Sequence, residues 1–185
     1  MSDAPTPFSP ALALFHGDRR IAAGSAETVL VAALAALEAD PHATLLAFDL
    51  GSGRVVDLDY RSRPAPQAPE AVRRGRPRLG VVAREVTLLP RHWDWLADQP
   101  GGASVTLRRL VDQARKASAG ADETRHRRDR AYRFMSAMAG DAPGFEEASR
   151  ALFAGDERRL RTLMGAWPVD VVATIRELLE PNGEA

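Results

Sequence analysis

The sequence predicts an α+β protein: a small ββαββ N-terminal domain, an Arg/Pro-rich linker, a strand-helix-helix unit and a helical C-terminal tail. Three observations predict it. Short apolar runs are concentrated in the N-terminal third, a Pro-rich basic stretch follows them, and beyond one more short run apolar residues recur at three and four residue spacing between Gly and Pro breaks. The corresponding segments are 8–61, 62–80, 81–118 and 122–181.

Ala11-Leu12-Ala13-Leu14-Phe15 predicts a strand, His16-Gly17-Asp18 a turn, and Arg20-Ile21-Ala22-Ala23 up to Gly24 the antiparallel partner, since a Gly in a short loop suits a tight hairpin. Ser25 or Thr28 caps a helix that runs to about Ala39, with Val29, Leu30, Ala33, Leu34 and Leu37 on one face. Asp40-Pro41 ends it, because the residue before a proline is pushed out of the helical region. A second hairpin joins Thr44–Asp49 to Arg54–Tyr60 through Gly51-Ser52-Gly53. Val56, Leu58 and Tyr60 alternate with Val55, Asp57 and Asp59, giving one apolar and one largely acidic face. Arg61 to Gly80 reads as linker. After it, Val81–Leu89 predicts a strand, Pro90 opens a helix, Pro100-Gly101-Gly102 breaks it, and Ser104 caps a second helix reaching about Ala117. Helices are then predicted over Asp122–Ala139, Gly144–Ala154, from an Asp156 cap to about Gly165, and from Pro168 to Leu179.

Composition bounds the function. The 185 residues are 45% hydrophobic and 27% charged, the balance of an ordinary globular protein. The longest apolar stretch, Val29–Leu37, is far short of a membrane span, so no membrane partner is expected. Met1-Ser2-Asp3-Ala4-Pro5 lacks the basic-then-apolar run of a secretory signal and the chain has no cysteine, which excludes thiolate metal sites and makes the cytoplasm the expected location. Lys116 is the only lysine, and arginine bias with abundant alanine fits a GC-rich bacterial genome.

Zero net charge conceals an asymmetry. Residues 1–70 carry five Arg against nine acids, a net −4; residues 71–133 carry fifteen basic residues against seven acids, a net +8; residues 134–185 carry five against nine, again −4. Either the middle meets an anionic partner or its acidic flanks neutralise it within the fold.

Two motifs favour DNA as that partner. Arg73-Arg74-Gly75-Arg76-Pro77-Arg78 contains an extended Arg-Gly-Arg-Pro tract slim enough to enter the minor groove of A·T-rich DNA, and it resembles the core of an AT-hook. Arg84-Glu85-Val86-Thr87-Leu88-Leu89-Pro90, the turn Gly101-Gly102-Ala103-Ser104, and the apolar series Trp93, Leu96, Leu107, Leu110, Val111 and Ala114 look like the ribbon-helix-helix family of bacterial repressors. That resemblance implies a homodimer whose strands pair, with Val86 and Leu88 inward, Glu85 and Thr87 outward, and the Ser104 and Val105 amides near phosphate. Glu85 departs from the family's pattern, because a carboxylate there is repelled by phosphates. The candidate nucleic-acid contacts are therefore Arg73, Arg74, Arg76, Arg78, Arg84, Thr87 and Ser104. Against this stands a plainer arrangement, in which strand 81–89 joins the N-terminal sheet, the two helices pack a core, one of Trp93 and Trp95 is buried, and the basic segment serves a protein-interaction module without nucleic-acid binding.

Arg125, His126, Arg127, Arg128, Arg130 and Arg133 spread round a helix, which suits a solvated face with salt bridges better than a phosphate track. No catalytic residues, cofactor or metal are expected, and no small-molecule ligand is identifiable. His16, His42, His92 and His126 are scattered, no phosphate loop or nucleophile elbow is present, and Asp49, Asp57 and Asp59 are read as the wet face of a hairpin.

Long stretches also resemble one uncharacterised bacterial family, domain of unknown function 2239. They are Gly75 to Trp93, Gln99 to Ser104, Tyr132-Arg133-Phe134-Met135-Ser136-Ala137-Met138-Ala139-Gly140 and Phe145-Glu146-Glu147-Ala148. The resemblance implies no activity, substrate or site.

Overall fold

A computed structural model describes residues 11–58, 82 and 84–181. Strand β1 (Leu12–His16) pairs antiparallel with β2 (Arg19–Gly24) and, on its other edge, with β3 (Leu45–Asp49); β4 (Arg54–Val56) pairs with β3, so the sheet order is β2-β1-β3-β4. The β1–β2 register shifts between Leu14 and Phe15, a bulge that leaves Ile21 of β2 without a partner residue in the ladder. Helix α1 (Ala26–Ala39) connects the hairpins, and Ser25 Oγ accepts the Thr28 amide at its start.

Because side chains alternate along β1, the strand feeds two cores. Leu12 and Leu14, with Ala47 of β3, pack against Val29 and Ala33 of α1, joined at the edge by Val56 and Leu58. Ala13, Phe15 and Phe48 face the other way. They meet Ala131, Phe134 and Met135 of α3 (Gly102–Ala139) and the buried residues of α4 (Phe145–Ala154), α5 (Glu157–Leu163), a following 3-10 turn (Met164–Ala166) and α6 (Val169–Leu179). At the centre the rings of Phe15, Phe48 and Phe134 lie 4.8 to 5.9 Å apart in edge-on and tilted contacts, the geometry aromatic quadrupoles favour. The Arg20 amide of β2 donates to Asp170, and its guanidinium reaches Thr174 and Glu177 of α6.

Composition divides the chain at the linker, whereas spatially Met1–Ala65 and Glu123–Ala185 form one compact unit and Pro66–Asp122 a second. The predicted Tyr60 and Asp59 end of the fourth strand, and the tract Arg73, Arg74, Arg76 and Arg78, lie outside the described residues.

Two helices predicted over Ser104–Ala117 and Asp122–Ala139 are one helix of 38 residues. Gly120 does not break it: a helical glycine costs about 1 kcal/mol relative to alanine, too little to end a helix whose neighbours are Ala119 and Ala121 and where Ser118 Oγ donates to Asp122. The helix also starts at Gly102, after a turn in which Gly101 and Gly102 both have positive φ, so Ser104 is its third residue and not its cap.

Candidate nucleic-acid interface

In the second unit the strand-helix-helix pattern is realised as an irregular segment, residues 84–89, then α2 (Pro90–Ala97), a Gly turn and the first half of α3. Pro90 occupies the first helical turn of α2, where its missing N–H breaks no hydrogen bond. The strand expected at 81–89 is not formed by its described residues: the sheet has four strands and none comes from this segment. Nor does the segment join the N-terminal sheet. Residues 84–88 make no hydrogen bond among the described residues, so their backbone groups have no ladder to complete.

The helix pair does not close a core of its own. Of the described residues 82–122, only Leu96 (2% exposed) and Thr106 (1%) are buried. Leu110, Val111 and Ala114, expected inside, are exposed. Trp93 and Trp95 are 42% and 49% exposed, so the expectation that one is buried fails: Leu96 is the only buried residue of α2, and the two rings flank it on a helix too short to cover either. Leu88, His92, Trp95 and Leu96 line an apolar groove of about 250 Å³ with Leu107 and Leu110 of α3. This sets Leu88 on the helix side of the segment and leaves Arg84, Glu85 and Thr87 exposed. Ser104 is exposed within the first turn of α3, where the leading amides have no intrahelical acceptor.

The arginine cluster downstream has a different employment. Arg128 donates to the Phe153 carbonyl at the end of α4 (3.2 Å), Arg130 Nε to Leu178 (2.6 Å) and its terminal nitrogen to Glu180 (2.9 Å), Arg127 to Leu179 (3.3 Å), and Arg133 to Ser52 in the β3–β4 turn (3.0 Å). Helix C-termini leave their last carbonyls without intrahelical donors, and cations there also oppose the negative end of the helix dipole. Burial pushes the Arg130 pKa below the ordinary arginine value; Glu123 opposes that shift and Arg127 adds to it. Arg127, Arg128, Arg130 and Arg133 are thus bound to backbone carbonyls of other elements, and sequence alone could not have assigned them because the acceptors lie on distant segments.

The model of a family described as an uncharacterised protein conserved in bacteria, DUF2239, matches residues 11–179, which is most of the chain. The chain belongs to this family. No curated protein and no solved structure matches it. The DUF2239 region therefore takes in both compact units, the sheet and the helices alike.

Other candidates of this DUF2239 chain have local roles. Asp49 Oδ1 accepts the Gly51 and Ser52 amides (2.7 and 3.0 Å), ordering the hairpin turn, while Asp57 is exposed and Asp59 lies outside the described residues. No group of three His, Asp or Glu side chains placed to hold a metal occurs among the described residues. No described helix is long and apolar enough to cross a membrane. Sequence reading missed His92 as a groove residue, although its i, i+3 and i+4 relation to Trp95 and Leu96 was legible.

Proposed function

We propose that this chain is a homodimeric DNA-binding protein, in which residues 84–118 pair with a second copy and the Arg73–Arg78 tract engages the duplex. The observation that carries the reading is the unfinished state of the helix pair: two buried residues, an apolar groove, and an irregular segment whose backbone groups at 84–88 are unpaired among the described residues. Antiparallel pairing with an identical segment satisfies those groups reciprocally and closes after two copies. Charge permits it, since within 84–118 the six basic residues Arg84, Arg91, Arg108, Arg109, Arg115 and Lys116 are interspersed with four acids, Glu85, Asp94, Asp98 and Asp112. Arg73, Arg74, Arg76 and Arg78 directly precede the pairing segment, so a dimer presents two basic tracts to one duplex, with Arg84, Thr87 and Ser104 as further contacts.

Light scattering on the full chain is expected to give twice the 20.0 kDa chain mass, and Val86→Glu to return it to one. Titration of a labelled A·T-rich duplex is expected to show affinity that falls steeply with salt. Arg74→Ala with Arg76→Ala should reduce the slope by about 0.9 for each phosphate that is no longer neutralised. Absence of binding at low salt, or binding indifferent to that pair, sinks the DNA reading. The second reading, a protein-interaction module, is favoured by the two exposed tryptophans beside the groove, the side chains that most often anchor interfaces. A monomer that ignores duplex would leave that reading standing.

A further inference from the structure

In the first unit, α3, α5 and α6 enclose an open cleft of about 460 Å³, within the range of small-molecule sites. Five of its nine lining residues are charged; the apolar part is formed by Leu179, half-buried, and by the small open edges of Leu160 and Met164. Three arginines from three elements line the same cleft, Arg127 of α3, Arg161 of α5 and Arg176 of α6. Arg161 and Arg176 are exposed, and their side chains make no hydrogen bond or ion pair among the described residues. Arg127 is partly engaged, donating to Leu179 and Thr124, while its Nε is buried without a hydrogen-bond acceptor, 3.8 Å from Glu123. A second, smaller cavity shares Arg127, Leu160 and Leu179 with the first and adds Arg128, so the groove continues past α4.

Like charges gathered at a concave, low-dielectric wall raise the potential there and favour an anion. Two features oppose that and both are limited. Glu157 and Glu180 also line the cleft, yet neither lies within ion-pairing distance of Arg161 or Arg176, and three arginines against two carboxylates leave it net positive. The C-terminus of α6 points its negative pole here, but Arg130 and Arg127 already bond its Leu178, Leu179 and Glu180 carbonyls.

We propose that this cleft binds a small amphiphilic carboxylate, its head held by Arg161 and Arg176 and its aliphatic body laid on Leu160, Met164 and Leu179. Guanidinium suits a carboxylate because its parallel N–H groups match the two oxygens. The proposal does not depend on DNA binding or dimerisation, which involve the other unit.

Isothermal titration of the full chain with sodium octanoate tests it, with acetate and 1-octanol as probes lacking the tail or the charge. Saturable one-to-one binding of octanoate is expected, with acetate and octanol each weaker by at least about tenfold. Arg161→Ala with Arg176→Ala should weaken octanoate about 10- to 100-fold while the ligand-free melting temperature holds, whereas Arg158→Ala with Arg159→Ala, on the same helix, should leave binding unchanged. No saturable heat up to about 10 mM octanoate, equal binding of octanol, or full binding by the Arg161/Arg176 variant overturns the assignment.

Discussion

At the residue scale, Arg130 shows how far a charged side chain can be drawn into a fold. It is 6% exposed, and its guanidinium bonds the carbonyls of Leu178 and Glu180. Its folded pKa lies below the unfolded one, so the charged form bears a constant burial cost at every pH below both and adds no pH slope to stability across the neutral range. Arg130→Met keeps the volume but strands those carbonyls, and an expected loss of about 2–3 kcal/mol lowers the melting temperature by about 5–10 °C, read by circular dichroism. Gly53 carries a second prediction. With φ of +69°, a Cβ there would lie 1.9 Å from the Arg130 carbonyl oxygen, whereas at Gly17, φ of +59°, it would meet nothing within 4 Å. Gly17→Ala is expected to cost about 1–2 kcal/mol for the left-handed backbone, and Gly53→Ala at least about twice that, because backbone must move. Equal urea midpoints for the two variants would contradict the packing of the hairpin against α3.

At the element scale, the strands and helix ends were largely legible. Apolar runs and turn residues marked β1 to β4, although β4 ends at Val56 and not beyond Leu58 as its alternation predicts, and Ser25 and Asp156 cap α1 and α5, Asp156 accepting the Arg159 amide at 2.9 Å. The continuity of α3 was not legible, because a glycine weakens helix locally without saying whether packing at either end overrides it. A Cβ at Gly120 meets nothing within 4 Å, so Gly120→Ala should raise stability by about 0.5–1 kcal/mol and Gly120→Pro lower it by about 3 kcal/mol. Tolerance of proline in a thermal melt would mean two helices. The segment 84–89 misled for another reason: its residues have strand propensity, but a strand exists only with a neighbour, and no neighbour is present within the described chain.

At the scale of the whole molecule, the sheet depends on helices that are more than eighty residues away in sequence. Phe15 and Phe48 would face solvent without Phe134 and the helices around it. A fragment of residues 1–65, which contains the ββαββ domain expected at 8–61, is therefore expected to unfold without a cooperative transition, and mixing it with residues 123–185 to restore one. A sharp, complete melt of the first fragment by itself would contradict the shared core.

By itself the sequence determined the fold class, the order of nearly all elements, the caps of α1 and α5, and the concentration of arginine in the middle, because periodicity, capping and turn chemistry act over a few residues. Only the tertiary structure decided which elements share a core, which arginines are consumed by helix-end carbonyls, and that the helix pair stands with its apolar side uncovered. Those outcomes depend on interactions between segments far apart in the chain, and such interactions leave no mark in local spacing.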